Sequence, residues 1–174
     1  MNEQITGNDL LNEPDALKPK LPGGLNVLTI LTFIGCAIGL LGSLWGYFTA
    51  KTTYEDRNKV LEQMNSDKMP GWAKSMMGDP ENFERMVTRG YENRLPILLL
   101  SLVAVALCFW GALQMRKLKK QGYLLYVVGE LMPFLIQIIF IGAFVLTGVG
   151  ALVGVGIALL FILLYTTQRK HLIY

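Results

Sequence analysis

Histidine occurs once and cysteine twice in the 174 residues, and the two cysteines, Cys36 and Cys108, lack CxxC spacing. So small a supply of imidazole and thiolate ligands excludes zinc ribbons, bis-histidine haem sites and a disulfide framework. Charge is scarce as well: 17% of residues are charged, against about 25% in an ordinary soluble domain. No Walker A loop, GxSxG elbow, HExxH or GxGxxG is present, and the glycines between 148 and 156 lack strand and polar neighbours. Phosphate binding and hydrolysis therefore have none of the residues they require, and the chain reads as a non-enzyme without cofactor or metal.

What the chain has instead is apolar length. Hydrophobic residues make up 52% of it, and its size is that of one folding unit of about 150 residues, leaving no room for a separate catalytic domain. Leu21 to Ala50 carries no charge, nor does Leu95 to Met115, and Gln121 to Gln168 carries only Glu130. A helix needs about 20 residues to cross about 30 Å of hydrocarbon, so the first two runs cross once each and the third is long enough for two crossings. The third run breaks at Thr147-Gly148-Val149-Gly150, where glycines weaken a helix and permit a turn. The fold class expected is an all-α integral membrane protein: a bundle of four spans near 25–50, 94–115, 122–146 and 150–167, running alternately up and down.

Residues 1–24 hold Glu3, Asp9, Glu13 and Asp15 ahead of any apolar run, with Pro14, Pro19 and Pro22. This is unlike a cleaved leader and predicts a disordered tail. The turn Arg116-Lys117-Leu118-Lys119-Lys120 is basic without an acid. Lys18 and Lys20 precede the first span, and Arg169 and Lys170 follow the last. Basic short loops stay in the cytoplasm, so both termini, including 171–174, are expected inside. The connection of residues 51–94 also holds eight Lys or Arg, but eight acids dilute them.

That connection predicts structure rather than disorder. Tyr54, Leu61 and Met64 share a helical stripe, Pro70-Gly71 ends it, and Asp79-Pro80-Glu81 reads as N-cap, first position and acidic first turn of another helix. Residues 51–93 are thus expected to form an outer helical cap. Trp72, Met76, Met77 and Phe83 are its candidates for a partner or lipid surface, against the alternative that they pack the cap on itself. His171 beside Arg169 and Lys170 suits a headgroup-facing end.

Within the spans, Gly35, Gly39 and Ser43 form a ridge at four-residue spacing, Gly42 and Gly46 a second, and Gly150, Gly154 and Ala158 a third. Small residues at this spacing allow helix backbones to approach closely, within one chain or between two. Glu130 is the informative charge. It lies about 10 Å into its span counted from Tyr123, too deep for a short carboxylate to snorkel. Pro133 frees the carbonyl of Gly129 beside it, and Tyr126 and Gln137 share its helix face. These residues form either a proton or cation relay or the acidic point of a small binding cavity, with Thr29 and Thr32 as partners at similar depth, or a polar point that fixes packing by hydrogen bonding within the bundle or pairing with Lys119 or Lys120.

The segment Leu21-Pro22-Gly23-Gly24-Leu25-Asn26-Val27-Leu28-Thr29-Ile30-Leu31-Thr32-Phe33-Ile34-Gly35, with Lys119-Lys120-Gln121-Gly122-Tyr123-Leu124-Leu125-Tyr126, resembles small four-span membrane proteins of Bacteroidota. The resemblance implies a bacterial inner membrane and carries no activity or ligand with it. Claudins share the large first outer loop, but their paired outer cysteines are missing here, so that likeness is architectural.

Two functional classes follow. The first is a non-enzymatic accessory, scaffold or assembly component of an envelope complex, with the cap against a partner. The competing class is a small oligomeric transporter or channel with a polar path along Glu130, Tyr126 and Gln137. The expected partners are the lipid bilayer and a membrane protein or second copy, with no nucleic acid. A lipid-modifying enzyme would need a second polar catalytic group near Glu130, which the spans do not offer.

Overall fold

The computed structural model describes residues 21–66, 70–71 and 78–173. Residues 1–20, and with them most of the expected tail, lie outside the described residues, as do Trp72, Met76 and Met77. The described chain is mostly helical, with no strand among the described residues. Among the described residues six α-helices are delimited, in order: α1 Gly23–Glu55, α2 Arg57–Asn65, α3 Pro80–Glu92, α4 Arg94–Arg116, α5 Lys120–Phe140 and α6 Val149–Gln168. Four of them, α1, α4, α5 and α6, are long and apolar enough to cross a membrane. The chain is a multi-pass membrane protein.

At 33 residues, α1 rises about 50 Å, well beyond the hydrocarbon thickness. It begins two residues earlier than expected, where Pro22 accepts a bond from the Asn26 N–H. Its far end runs into α2 through Asp56, whose carboxylate lies 2.6 Å from Lys59 and holds that exposed ammonium above the usual lysine range. Helix α3 starts as its sequence signature dictates, with Asp79 before it, Pro80 in its first turn and Glu81 paired to Arg85.

Helices α2 and α3 close on each other through Met64, Phe83 and Val87. Phe83 is therefore buried, at 8% exposure, rather than presented to a partner or to lipid. It sits on the inward stripe of an amphipathic helix, and that stripe has a mate in α2. A tyrosine of the first span meets one of α3 beside this cluster. Tyr54 and Tyr91 stack at 4.6 Å, with Arg57 over the outer face of one ring and Arg94 over the other.

The third spanning helix stops at Phe140, short of the predicted residue 146, and Gly142 is the reason. Its φ of +126° is open only to glycine, and a Cβ there would meet the Phe144 ring at 2.9 Å. The N–H groups of Ile141 and Gly142 both donate to the Gln137 carbonyl, and the Arg89 guanidinium of α3 donates to the Ile141 carbonyl at 2.8 Å. A cation thus sits on the negative end of the helix. A short 3-10 turn, Ala143–Thr147, leads to Gly148, which precedes α6.

The closest helix contact is between α4 and α5. A Cβ on Gly111 would lie 2.7 Å from the Tyr126 amide nitrogen, and one on Gly122 would lie 2.6 Å from the Gly111 carbonyl oxygen. One on Gly129 would lie 2.8 Å from the Cys108 amide nitrogen. As the α4 number falls from 111 to 108 its partner rises from 122 to 129, so the two helices are antiparallel. Leu118 makes the turn between them with φ +57°, a conformation that disfavours a Cβ. The turn is held by the Lys119 N–H on Gln114 and the Leu118 N–H on Met115, the Schellman pattern, and by the Ile173 N–H on the Leu118 carbonyl. The Leu118 side chain is buried with Leu25, Met115 and Leu172, and this packing opposes the backbone cost. The apolar core thus concentrates at the end that carries Lys117 to Lys120. Most of α6 lies open, with only Ala158 and Tyr165 buried.

Candidate functional site

Glu130 is the middle residue of α5, ten residues from either end, or about 15 Å from each. It opens into a cleft of about 330 Å³ to which all four spans contribute. The walls are mostly apolar: Leu31 from α1, Val105 from α4, Phe134 from α5, Ile157 and Phe161 from α6. Pro133 lies on the same wall and leaves the Gly129 carbonyl without its helical donor.

Each span also supplies a polar side chain near this depth. The Cys108 thiol of α4 points to a Glu130 carboxyl oxygen at 3.8 Å and to the Tyr126 carbonyl at 3.9 Å. The Tyr126 hydroxyl lies within reach of the same carboxyl group. Its ring packs against Tyr165 of α6 with centroids 4.5 Å apart, and the Tyr165 hydroxyl shares a 2.7 Å hydrogen bond with Thr32 of α1. The Cys36 thiol donates to the Val105 carbonyl at 3.8 Å. These are neutral, mostly weak donors. Among the described residues Glu130 has no ion pair, and Lys119 and Lys120 are exposed at the turn. Thr29 bonds to its own helix at Asn26 rather than to Glu130.

The site therefore has two unlike ends. One helical turn from Glu130 toward the basic end stands the layer of Tyr126, Tyr165 and Thr32, with the apolar core behind it. One turn the other way stands Phe134 alone, whose ring also lines a second cleft of about 600 Å³. Gln137 belongs to that second cleft, with Asp79 and Asn82, and so does not share a cavity with Glu130.

The glycine ridges mostly line space rather than contacts. Gly35 and Gly39 border the Glu130 cleft, and a Cβ would find nothing within 4 Å at the first and Val105 at 3.5 Å at the second. Gly42, Ser43 and Gly46 border a further cleft of about 440 Å³ beside Tyr47 and Arg94, and the Ser43 hydroxyl bonds back to Gly39. Gly150 has open space around it and Gly154 faces the Phe134 ring at 3.9 Å; Ala158 alone of that ridge is buried.

Three residues of the site escape sequence reading. Tyr165 stands at a span end, where tyrosine ordinarily marks the headgroup belt. Cys108 reads as packing, and Phe134 as one apolar residue among many. Glu130, Tyr126, Pro133 and Thr32 are the residues of the cleft that the sequence signals. The clustering of acids or histidines that a metal needs is lacking among the described residues. Chemically, the arrangement offers one carboxyl group, a phenol, a thiol and a free carbonyl in apolar surroundings, which suits binding of a proton or a cation. Compared with family models, curated proteins and solved structures, the chain matches none.

Proposed function

We propose that this protein is a non-enzymatic carrier of a bacterial inner membrane that holds a proton or small cation at Glu130. The single observation behind this reading is that the carboxyl group lies at mid-span in a cleft built by four helices, with no base within ion-pair distance among the described residues. An intramembrane acid that served packing alone would be enclosed and satisfied; this one borders space. The unequal ends of the cleft suit a carrier that exposes its site to one side at a time. Wild-type protein in proteoliposomes should dissipate an imposed pH gradient, and Glu130→Gln should slow that flux at least tenfold while eluting and melting as the wild type does. Equal flux from both proteins would remove Glu130 from the function.

In this reading the spans form an up-down bundle, N-in and C-in, with α2 and α3 as an outer cap. The basic turn at Lys117–Lys120 supports that orientation, and the resemblance of Leu21–Gly35 to Bacteroidota four-span proteins supports the bacterial setting. Lys119→Cys should react with a membrane-impermeant maleimide only after cells are opened, since Cys36 and Cys108 are buried and give no background. Labelling of intact cells would invert the scheme. The accessory or assembly reading draws on a different observation, the stack of Arg57, Tyr54, Tyr91 and Arg94 that ties α2 and α3 to the spans. A stoichiometric partner in mild detergent, together with a silent Glu130→Gln, would favour it.

A further inference from the structure

The chemistry of the cleft discriminates among cations. A hard inorganic ion leaves water only for a shell of oxygens, about six to eight for calcium and six in near-octahedral array for magnesium. The cleft supplies the Glu130 carboxylate, the Tyr126 hydroxyl and the Gly129 carbonyl, while the Thr32 hydroxyl is already engaged by Tyr165. That shell is too thin. The remaining wall is apolar and aromatic, with Phe134 and Phe161 on two different helices. Its volume of about 330 Å³ falls within the range of roughly 300–1,000 Å³ typical of small-molecule pockets.

Resting on the reading of Glu130 as the binding carboxyl, we propose that the cleft is a site for a lipophilic organic cation, an amine or quaternary ammonium that arrives through the bilayer. Such a ligand brings its own apolar body, so entering the cleft requires little stripping of water. Its positive centre pairs with Glu130, and its body lies against Phe134, Phe161 and Ile157. The aromatic faces add cation–π attraction, which strengthens away from water. Proton and ligand compete for one carboxylate. The titratable groups facing it are Cys36 of α1, Cys108 of α4, Tyr126 of α5 and Tyr165 of α6, and no lysine or arginine side chain lies within ion-pair distance among the described residues.

The test compares benzyltrimethylammonium with neopentylbenzene, its uncharged isostere, by equilibrium dialysis against detergent-purified full-length protein. Wild type should bind the cation at least tenfold more tightly than the isostere, and more weakly as pH is lowered. Glu130→Gln should abolish that preference. Phe161→Leu, which keeps the charge, should weaken cation binding by roughly threefold to tenfold. Equal binding of cation and isostere, or of the cation by wild type and Glu130→Gln, overturns the proposal. If the cation fails to bind while proton flux still depends on Glu130, the ligand class is wrong and the carrier reading stands. If flux is also independent of Glu130, both fall.

Discussion

Replacing Gly122 by alanine is expected to separate α5 from α4, whereas the same methyl group at Gly35 leaves the bundle intact. The added Cβ at Gly122 would stand 2.6 Å from the Gly111 carbonyl oxygen and 2.7 Å from the Met115 amide nitrogen. Both are backbone atoms of a helix and cannot rotate aside. The helices must move apart, and every close contact along the seam at Gly111, Cys108 and Gly129 then loosens together. Overpacking costs about 1–3 kcal/mol where side chains can yield, and a backbone clash belongs at or above the upper end. At Gly35 nothing lies within 4 Å of the new atom, so the change adds only the helix preference of alanine, up to about 1 kcal/mol. Thermal melting in detergent followed by size-exclusion chromatography separates the two outcomes. If Gly122→Ala melts with Gly35→Ala, the α4–α5 seam is not where the bundle is held.

Tyr165→Ala should produce the second large effect, at the layer between the cleft and the basic end. Tyr165 is 1% exposed, touches Tyr126 and bonds to Thr32 across to α1. Large aromatic to alanine changes in packed interiors cost about 3–5 kcal/mol. In lipid the transfer part of that cost shrinks, because hydrocarbon surrounds the helix in either state, but the lost packing remains. Ala158 is the other buried residue of helix α6, with Phe161 and Ile162 half-buried against the core and Thr166 bonded to Tyr123. Removing the ring also thins the barrier between the cleft and the basic end to the apolar core behind it, so the variant that still folds should pass protons faster than the wild type. Tyr165→Phe keeps the ring and loses the hydroxyl, and Thr32 can turn to its own helix backbone. Its cost should be near that of one buried hydrogen bond, about 1 kcal/mol, with the barrier to protons kept. An alanine variant as stable and as tight as wild type would show that the layer is not a barrier.

The four crossings were legible from residue order because lipid offers the backbone no hydrogen bonds. Any long apolar run must become a helix, and Leu21 to Ala50, Leu95 to Met115 and Gln121 to Gln168 leave no other choice. Glu130 was legible for the complementary reason, as the one charge inside a span. Helix faces were not legible. In water the apolar stripe marks the inner face, and that is how α3 and its inward Val87 could be read. In lipid an apolar side chain is equally at home outward or inward, so Gly35 and Gly122 look alike in one dimension.

Composition and spacing therefore mark a membrane protein, the four stretches long and apolar enough to cross a bilayer, and the single acid midway along one of them. Three-dimensional packing alone assigns the roles of the small and aromatic residues. Gly111, Gly122 and Gly129 join two helices while Gly35 and Gly39 line a cleft. Tyr165 turns inward from a span end, Phe134 divides Glu130 from Gln137, and Gly142 ends α5 early. The division has one physical cause. Insertion into lipid is a sum over residues and can be added up along the chain, whereas association within lipid depends on shape, which exists only once the helices have met.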